Sequence, residues 1–231
     1  MKKHLYLMID TESTGLNTDI SDENGDAFVY DIGFAVVDRH ANIIDNQVYS
    51  FVVSEVFFGM RDKMQSAYYS WKIPEYMNDI ESGKRNVARF FFIQGVINQL
   101  IVKYNIRAVV AHNMRFDNGA LNFTTHRLSK GLKKWFFPYG VDKWCTLAMA
   151  RSIMYQKPVY KAFCQKYGFT QKNGTPRMTA EILFRFITNQ TDFEEKHTGI
   201  EDVMIEKEIL AYLFRQHKKM KRHYWNEEKR G

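Results

Sequence analysis

Four carboxylates and one imidazole, spread over three short segments, are the groups of this chain best suited to chemistry. Asp10 and Glu12 lie in Met8-Ile9-Asp10-Thr11-Glu12-Ser13-Thr14-Gly15. Asp117 closes Ala111-His112-Asn113-Met114-Arg115-Phe116-Asp117, and His197 and Asp202 bound His197-Thr198-Gly199-Ile200-Glu201-Asp202. Carboxylates brought into one pocket raise each other's pKa, so they stay ionised together only beside cations. Hard oxygen donors of this kind suit Mg²⁺ or Mn²⁺. Two such ions with a base nearby are equipped to hydrolyse a phosphodiester. A histidine titrating near neutrality can take the proton of an attacking water.

The elements that must position these groups follow from the pattern of apolar residues. Leu5 to Asp10 reads as a central strand ended by the polar stretch Thr11 to Asn17. Alternate strand residues share a face, so Asp10 and Glu12 point together and Thr11 points away. Gly15 frees the backbone for close approach of a substrate. Phe28 to Asp38 and Ile43 to Val53 continue as an antiparallel meander. Helical spacing appears over 87–104, followed by a buried strand at 107–112 and a helix over 116–127 that begins with Asp117. That junction of strand and helix is where open α/β sheets hold ligands. Further helices read at 143–154, 159–167 and 178–187, and a final one at 200–216 places Asp202 in its first turn, with His197 in the loop before it. The sum is three strands, then helix, strand, helix, a short strand and helices: an α/β sandwich on a mixed sheet.

Composition bounds the rest. The 231 residues suit one domain over 1–231, with an elaboration at about 55–86 and a basic tail at about 215–231. A hydrophobic share of 45% and a charged share of 26% are those of a soluble globular protein. The two cysteines, Cys145 and Cys164, have no CxxC partner, which argues against a disulfide framework or structural zinc and for a reducing cytoplasm. The opening Lys2-Lys3 and the apolar run to Ile9 are cut short by Asp10, too early for a signal peptide, and no membrane segment follows. Of the net charge of +7, residues 215–231 carry +5 (seven Lys/Arg against two Glu), leaving the body nearly neutral. Basic residues beside aromatics in that tail suit phosphate contact and base stacking, or simply a solvated terminus.

Taken singly, an Asp-x-Glu pair reads as a solvated turn and Asp117 as a helix N-cap. In combination the three segments resemble the signatures of the DEDDh branch of the DEDD exonuclease superfamily, which includes a polymerase proofreading subunit, ribonuclease T and oligoribonuclease. D-x-E-[ST]-T-G matches at Asp10 to Gly15, H-N-x-x-F-D at His112 to Asp117, and H-x-[AG]-x-x-D at His197 to Asp202. Cys145-Thr146-Leu147-Ala148-Met149-Ala150-Arg151 is similar to a D-T-L-x-x-A-R helix of the family, with Cys145 at the usual Asp. The resemblance implies a ribonuclease H-like fold with a central five-stranded mixed sheet flanked by helices. It implies a 3′→5′ exonuclease using two Mg²⁺ or Mn²⁺ ions and releasing 5′-mononucleotides from single-stranded DNA ends. Asp10, Glu12 and Asp202 would hold one ion, Asp10 would bridge to the second, Asp117 would support that ion directly or through water, and His197 would be the general base. Thr14, Gly15, Leu16 and Phe116 would grip the terminal nucleotide. In the proofreading variant the polymerase is a separate protein, since 231 residues leave no room for one.

Two alternatives stay open at this level: an exoribonuclease of the ribonuclease T type, separable by matched DNA and RNA oligonucleotides, and a non-catalytic module that binds nucleic acid or a polymerase. Ala67 to Trp71 and Trp135 to Gly140 resemble segments of exonucleases from tailed bacteriophages, which would place the protein in the host cytoplasm. Asp31 reads as a polar edge contact, and His112 as a partner for buried backbone groups. Tyr68, Tyr69 and Trp71 read either as a stacking platform for single-stranded bases or as a small hydrophobic cluster.

Overall fold

The computed structural model describes residues 4–225. Residues 1–3 and 226–231, which include the end of the basic tail, lie outside the described residues. The chain opens with β1 (Tyr6–Ser13), β2 (Val29–Val37) and β3 (Ile43–Val53), then α1 (Ser54–Phe57), α2 (Arg61–Ser66), a 3₁₀ turn at Ser70–Lys72 and α3 (Ile73–Glu81). Next come β4 (Asn86–Ala88), α4 (Phe90–Lys103), β5 (Ala108–Ala111), α5 (Met114–Leu128) and β6 (Asp142–Cys145). The chain ends on α6 (Thr146–Met154), α7 (Pro158–Lys166), α8 (Ala180–Thr188) and α9 (Gly199–Arg215).

The strands form one mixed sheet in the order β4-β3-β2-β1-β5-β6. β1 runs antiparallel to β2 and parallel to β5, and β2 pairs antiparallel with β3. The sheet has six strands where five were expected. The additional pairing is β4, parallel to the end of β3, which the sequence reading had placed inside the helix over 87–104. Lys143 to Cys145, read as the start of a helix, is strand β6 beside β5. Both errors fall on strands of three or four residues, too short to show a period of two against the helix that follows.

Alternation along β1 divides the interior. Leu7 and Ile9 enter a cluster with Phe90, Ile97 and Phe123 from α4 and α5. Tyr6 and Met8 face the opposite layer, with Ile153, Leu183, Ile209 and Leu213 from α6, α8 and α9. Each of these apolar side chains contributes roughly 1.5–3 kcal/mol on burial. Asp10 and Glu12 continue the Tyr6–Met8 face, so the sheet aims them at α9. Among the described residues no helix is long and apolar enough to cross a membrane.

Candidate active site

The strand carries its acidic pair further than its apolar run suggests. β1 extends through Ser13, with Asp10 opposite Gly33 and Glu12 opposite Asp31 on β2. The register slips just after Glu12. Such bulges often stand beside active sites, where they end pairing and re-aim side chains.

Close approach of α9 to the sheet depends on two glycines. A Cβ on Gly33 would lie 2.1 Å from the carbonyl carbon of Gly199, and one on Gly199 would lie 2.5 Å from the Gly33 nitrogen and 3.2 Å from the Asp10 oxygen. With hydrogens at both positions the first turn of α9 lies against β1 and β2, which brings Asp202 to Asp10 and Glu12. One ligand oxygen from each of Asp10, Glu12 and Asp202 lies within 4.8 Å of the others. The Glu195 carboxylate, the His197 ring and Asp202 form a second group of the same dimensions, sharing Asp202. Oxygens around a cation at about 2.0–2.6 Å sit within this spread. Asp202 Oδ1 is buried with no hydrogen-bond partner among the described residues, an acceptor that a cation would satisfy. The residues present therefore fit a divalent cation.

Asp117 is placed differently from the other three carboxylates. α5 packs on the Leu7–Ile9 face, so Asp117 reaches the site from the far side of β1. Its Oδ1 accepts from the Thr11 amide at 3.2 Å and the Thr11 hydroxyl at 2.9 Å. It belongs to neither compact group, though its charge is close enough to raise Asp10. Two further carboxylates line the site, Glu195 beside His197 and Glu206 on α9, and the sequence reading passed over both. Glu206 lies one turn beyond Asp202 on the same side of α9, is buried, and accepts from the His112 amide at 3.1 Å. A second acid at i+4 from Asp202 in an otherwise apolar stripe was the available signal.

Burial dominates the electrostatics. It pushes Glu12 up to about 9, Asp202 to about 8 and Asp117 to about 7, with neighbouring carboxylates adding to the first two. Asp10 and Glu206 are raised well above the usual carboxylate range, each by burial and by the charges around it. Without cations this pocket holds protons at neutral pH.

His197 sits in the left-handed region at φ 49° on the loop before α9, half-buried, with Nδ1 3.8 Å from Glu195 Oε2. Burial and the Lys72 ammonium lower its pKa. The loop is held by the segment inserted between β3 and β4. Buried Lys72 donates to the carbonyls of Lys196 and, at 3.0 Å, His197. Tyr69 stacks on the imidazole, with ring centres 4.9 Å apart and planes 16° apart. Arg85 pairs with Asp31 at 3.2 Å, Asp79 at 3.0 Å and Glu201 at 3.0 Å, and Asp31 also accepts from the Gly199 amide at 2.9 Å. Asp31 is fully buried on an interior strand, which corrects its reading as an edge contact. Of the aromatic cluster, Tyr69 turns to the site, while Tyr68 and Trp71 stay exposed.

The remaining candidates divide. Thr14 is buried and its hydroxyl donates to the Asp26 carbonyl. A Cβ at Gly15 would meet the Asp26 carboxylate at 2.1 Å, so the glycine there also serves a contact within the chain. Leu16 is 82% exposed, whereas Phe116 packs partly buried against the core. His112 bonds through Nε2 to the Met178 carbonyl and through Nδ1 to the Thr146 hydroxyl, both at 2.9 Å. Burial lowers its pKa to about 4, so it is neutral and holds the frame of the site. A cavity of about 490 Å³ opens over Asp10, Glu12, Tyr69, His197, Asp202 and Glu206.

No family model matches the sequence, and no curated protein matches it. Solved structures do. Exonuclease I of E. coli in complex with a 5cy-dT13 oligonucleotide aligns over 93% of this chain and 42% of its own, at 13% identity and a TM-score of 0.54. A complex of that enzyme with a dT13 oligonucleotide aligns over 92% and 41%, at 14% identity and 0.52. A product-bound exonuclease I aligns over 93% and 44%, at 14% identity and 0.51. The chain spans less than half the length of these exonuclease I chains. Its mixed sheet flanked by helices is the ribonuclease H-like fold that exonuclease I also has, and the carboxylates of the first and third motifs meet at the end of its interior strand β1, while Asp117 of the second is held apart by Thr11.

Proposed function

We propose that this chain is a divalent-metal-dependent 3′→5′ exonuclease acting on single-stranded DNA ends. The observation that carries the reading is the convergence of Asp10, Glu12 and Asp202, one with an orphaned buried oxygen, beside the His197 ring. Mg²⁺ or Mn²⁺ held there would stabilise charge on the scissile phosphate and acidify the attacking water. Asp117, with Oδ1 taken by Thr11, would support the second ion through water. The His197 imidazole, kept unprotonated near neutrality by burial and Lys72, accepts the proton of that water. The water oxygen forms a bond to phosphorus, the bond to the 3′-oxygen of the preceding nucleotide breaks, that oxygen takes up a proton from solvent to become the new 3′-hydroxyl, and a 5′-mononucleotide leaves. Exposed Leu16 is available to pack on the terminal base, and Thr14, Gly15 and Phe116 shape the chain around it. The 3′ end is free in solution or presented by a separate polymerase.

A time course on 3′- and 5′-labelled DNA and RNA oligonucleotides with Mg²⁺, Mn²⁺ or EDTA tests this. Mononucleotide release from the 3′ end, metal-dependent and faster on DNA, is expected. A folded, metal-supplied protein that leaves both polymers intact overturns it, and faster digestion of RNA transfers the reading to an exoribonuclease.

A further inference from the structure

The described part of the basic tail is built into the molecule. The Cys145 amide donates to the Arg222 carbonyl at 2.6 Å, and the Lys221 amide to Ser152 Oγ at 3.1 Å. The Arg222 guanidinium lies 4.4 Å from the centre of the Trp144 ring. His223 Nε2 meets Asp142 Oδ1 at 2.6 Å, and Asn118 reaches the Tyr224 hydroxyl at 3.4 Å. These contacts lay the segment after α9 back along β6 and α6.

The returning segment completes a trough that starts at the carboxylates. The cavity over Asp10 and Asp202 shares Asn113, Leu147 and Arg151 with a second of about 450 Å³, lined also by Arg115 and Lys221. That one shares Tyr224 with a third of about 940 Å³, walled by Trp135, Tyr139 and Trp225. Arg115 and Arg151 are exposed, Trp135 is 62% exposed and Tyr139 wholly so. Among the described residues the one carboxylate lining the outer cavity, Asp142, is paired with His223.

We propose that this trough is the track for the strand behind the scissile end: phosphates pass Arg115, Arg151 and Lys221, and bases farther back stack on Trp135 and Tyr139, while Trp225, stacked on His223, walls the far side. It rests on the exonuclease reading for what sits at the carboxylates. Cations nearest the centre and ring faces beyond them suit an unpaired strand, because bases within a duplex already stack on each other.

Fluorescence anisotropy in EDTA, with 5′-labelled oligothymidylates from two to about 16 nucleotides, tests it. Wild-type affinity should climb with length. The double variant Trp135→Ala/Tyr139→Ala should flatten the climb, losing about tenfold or more on the longest strand. Arg115→Ala should reduce the dependence of log affinity on log salt by about 0.7. Lys103→Ala on α4, outside the trough, removes the same charge and should not flatten the climb. If the double variant unfolds early, Tyr139→Ala alone carries the test, because that side chain is wholly exposed. A climb as steep in the aromatic variants as in the wild type, or a blunt duplex bound as tightly as the single strand, overturns the track. Manganese-dependent hydrolysis of the same oligomers reads the other proposal separately. Length-dependent binding without hydrolysis sinks the exonuclease and keeps the track, and hydrolysis without length dependence does the reverse.

Discussion

Adding a divalent cation to the metal-free protein should release protons and raise its stability, in amounts set by the buried carboxylates. At pH 7 Glu12, at about 9, and Asp202, at about 8, are mostly protonated, and Asp117, at about 7, is half so. A cation takes ionised oxygens, so loading the site should expel about two protons from Glu12 and Asp202 at pH 7, with Asp10, which is also raised, adding to them, and progressively fewer as the pH approaches 10. The folded-state pKa values lie above the unfolded ones, so the folded chain binds more protons between about pH 4 and 9, and stability falls as pH rises through that window. The metal-free unfolding temperature should therefore drop from pH 5 to pH 9, and saturating Mn²⁺ should oppose the drop. At a hundred times its Kd, the cation adds about 2.7 kcal/mol, and for a chain of this size that raises the midpoint by roughly 5–10 °C. Calorimetric titration at pH 7 in buffers of different ionisation enthalpy counts the protons, and thermal scans across pH read the stability. Heats that do not vary with the buffer, together with a midpoint that neither Mg²⁺ nor Mn²⁺ moves, would refute the assignment of this pocket to a cation.

Three further outcomes follow from the residues around the site. His197→Ala should cut kcat by about 10²- to 10⁴-fold while oligonucleotide binding in EDTA persists, read by single-turnover kinetics beside anisotropy. Lys72→Met keeps the aliphatic stem but drops the hold on the Lys196 and His197 carbonyls. It should lower kcat by about 10- to 100-fold with a smaller change in KM, and an unchanged kcat would show that the loop keeps its place without the ammonium. Arg85→Met strands Asp31, which is fully buried, and should cost about 3–5 kcal/mol, a midpoint drop of roughly 6–20 °C by calorimetry.

The acidic motifs were legible because their chemistry is local: Asp10 and Glu12 share a face by strand alternation alone, and Asp202 falls in the first turn of a helix readable from its apolar spacing. The antiparallel meander of β1, β2 and β3 was legible because long runs rich in β-branched and aromatic residues, bounded by polar turns, mark strands locally. β4 and β6 were not. Three or four residues carry too little pattern, and their pairing with β3 and β5 comes from chain distant in sequence.

By itself, then, the sequence determined which groups could bind a cation and accept a proton, and on which kinds of element they stand. Only the tertiary structure decided who joins them. Glu206 enters because α9 lies close on the sheet through the Gly33–Gly199 contact, while Asp117 is drawn aside because Thr11, on the other face of β1, offers it two donors. Tyr69 and Lys72 come to His197 from more than 120 residues away. Side-chain periodicity is a property of neighbours along the chain, whereas contact across two layers depends on how closely backbones can approach, and no local pattern encodes that distance.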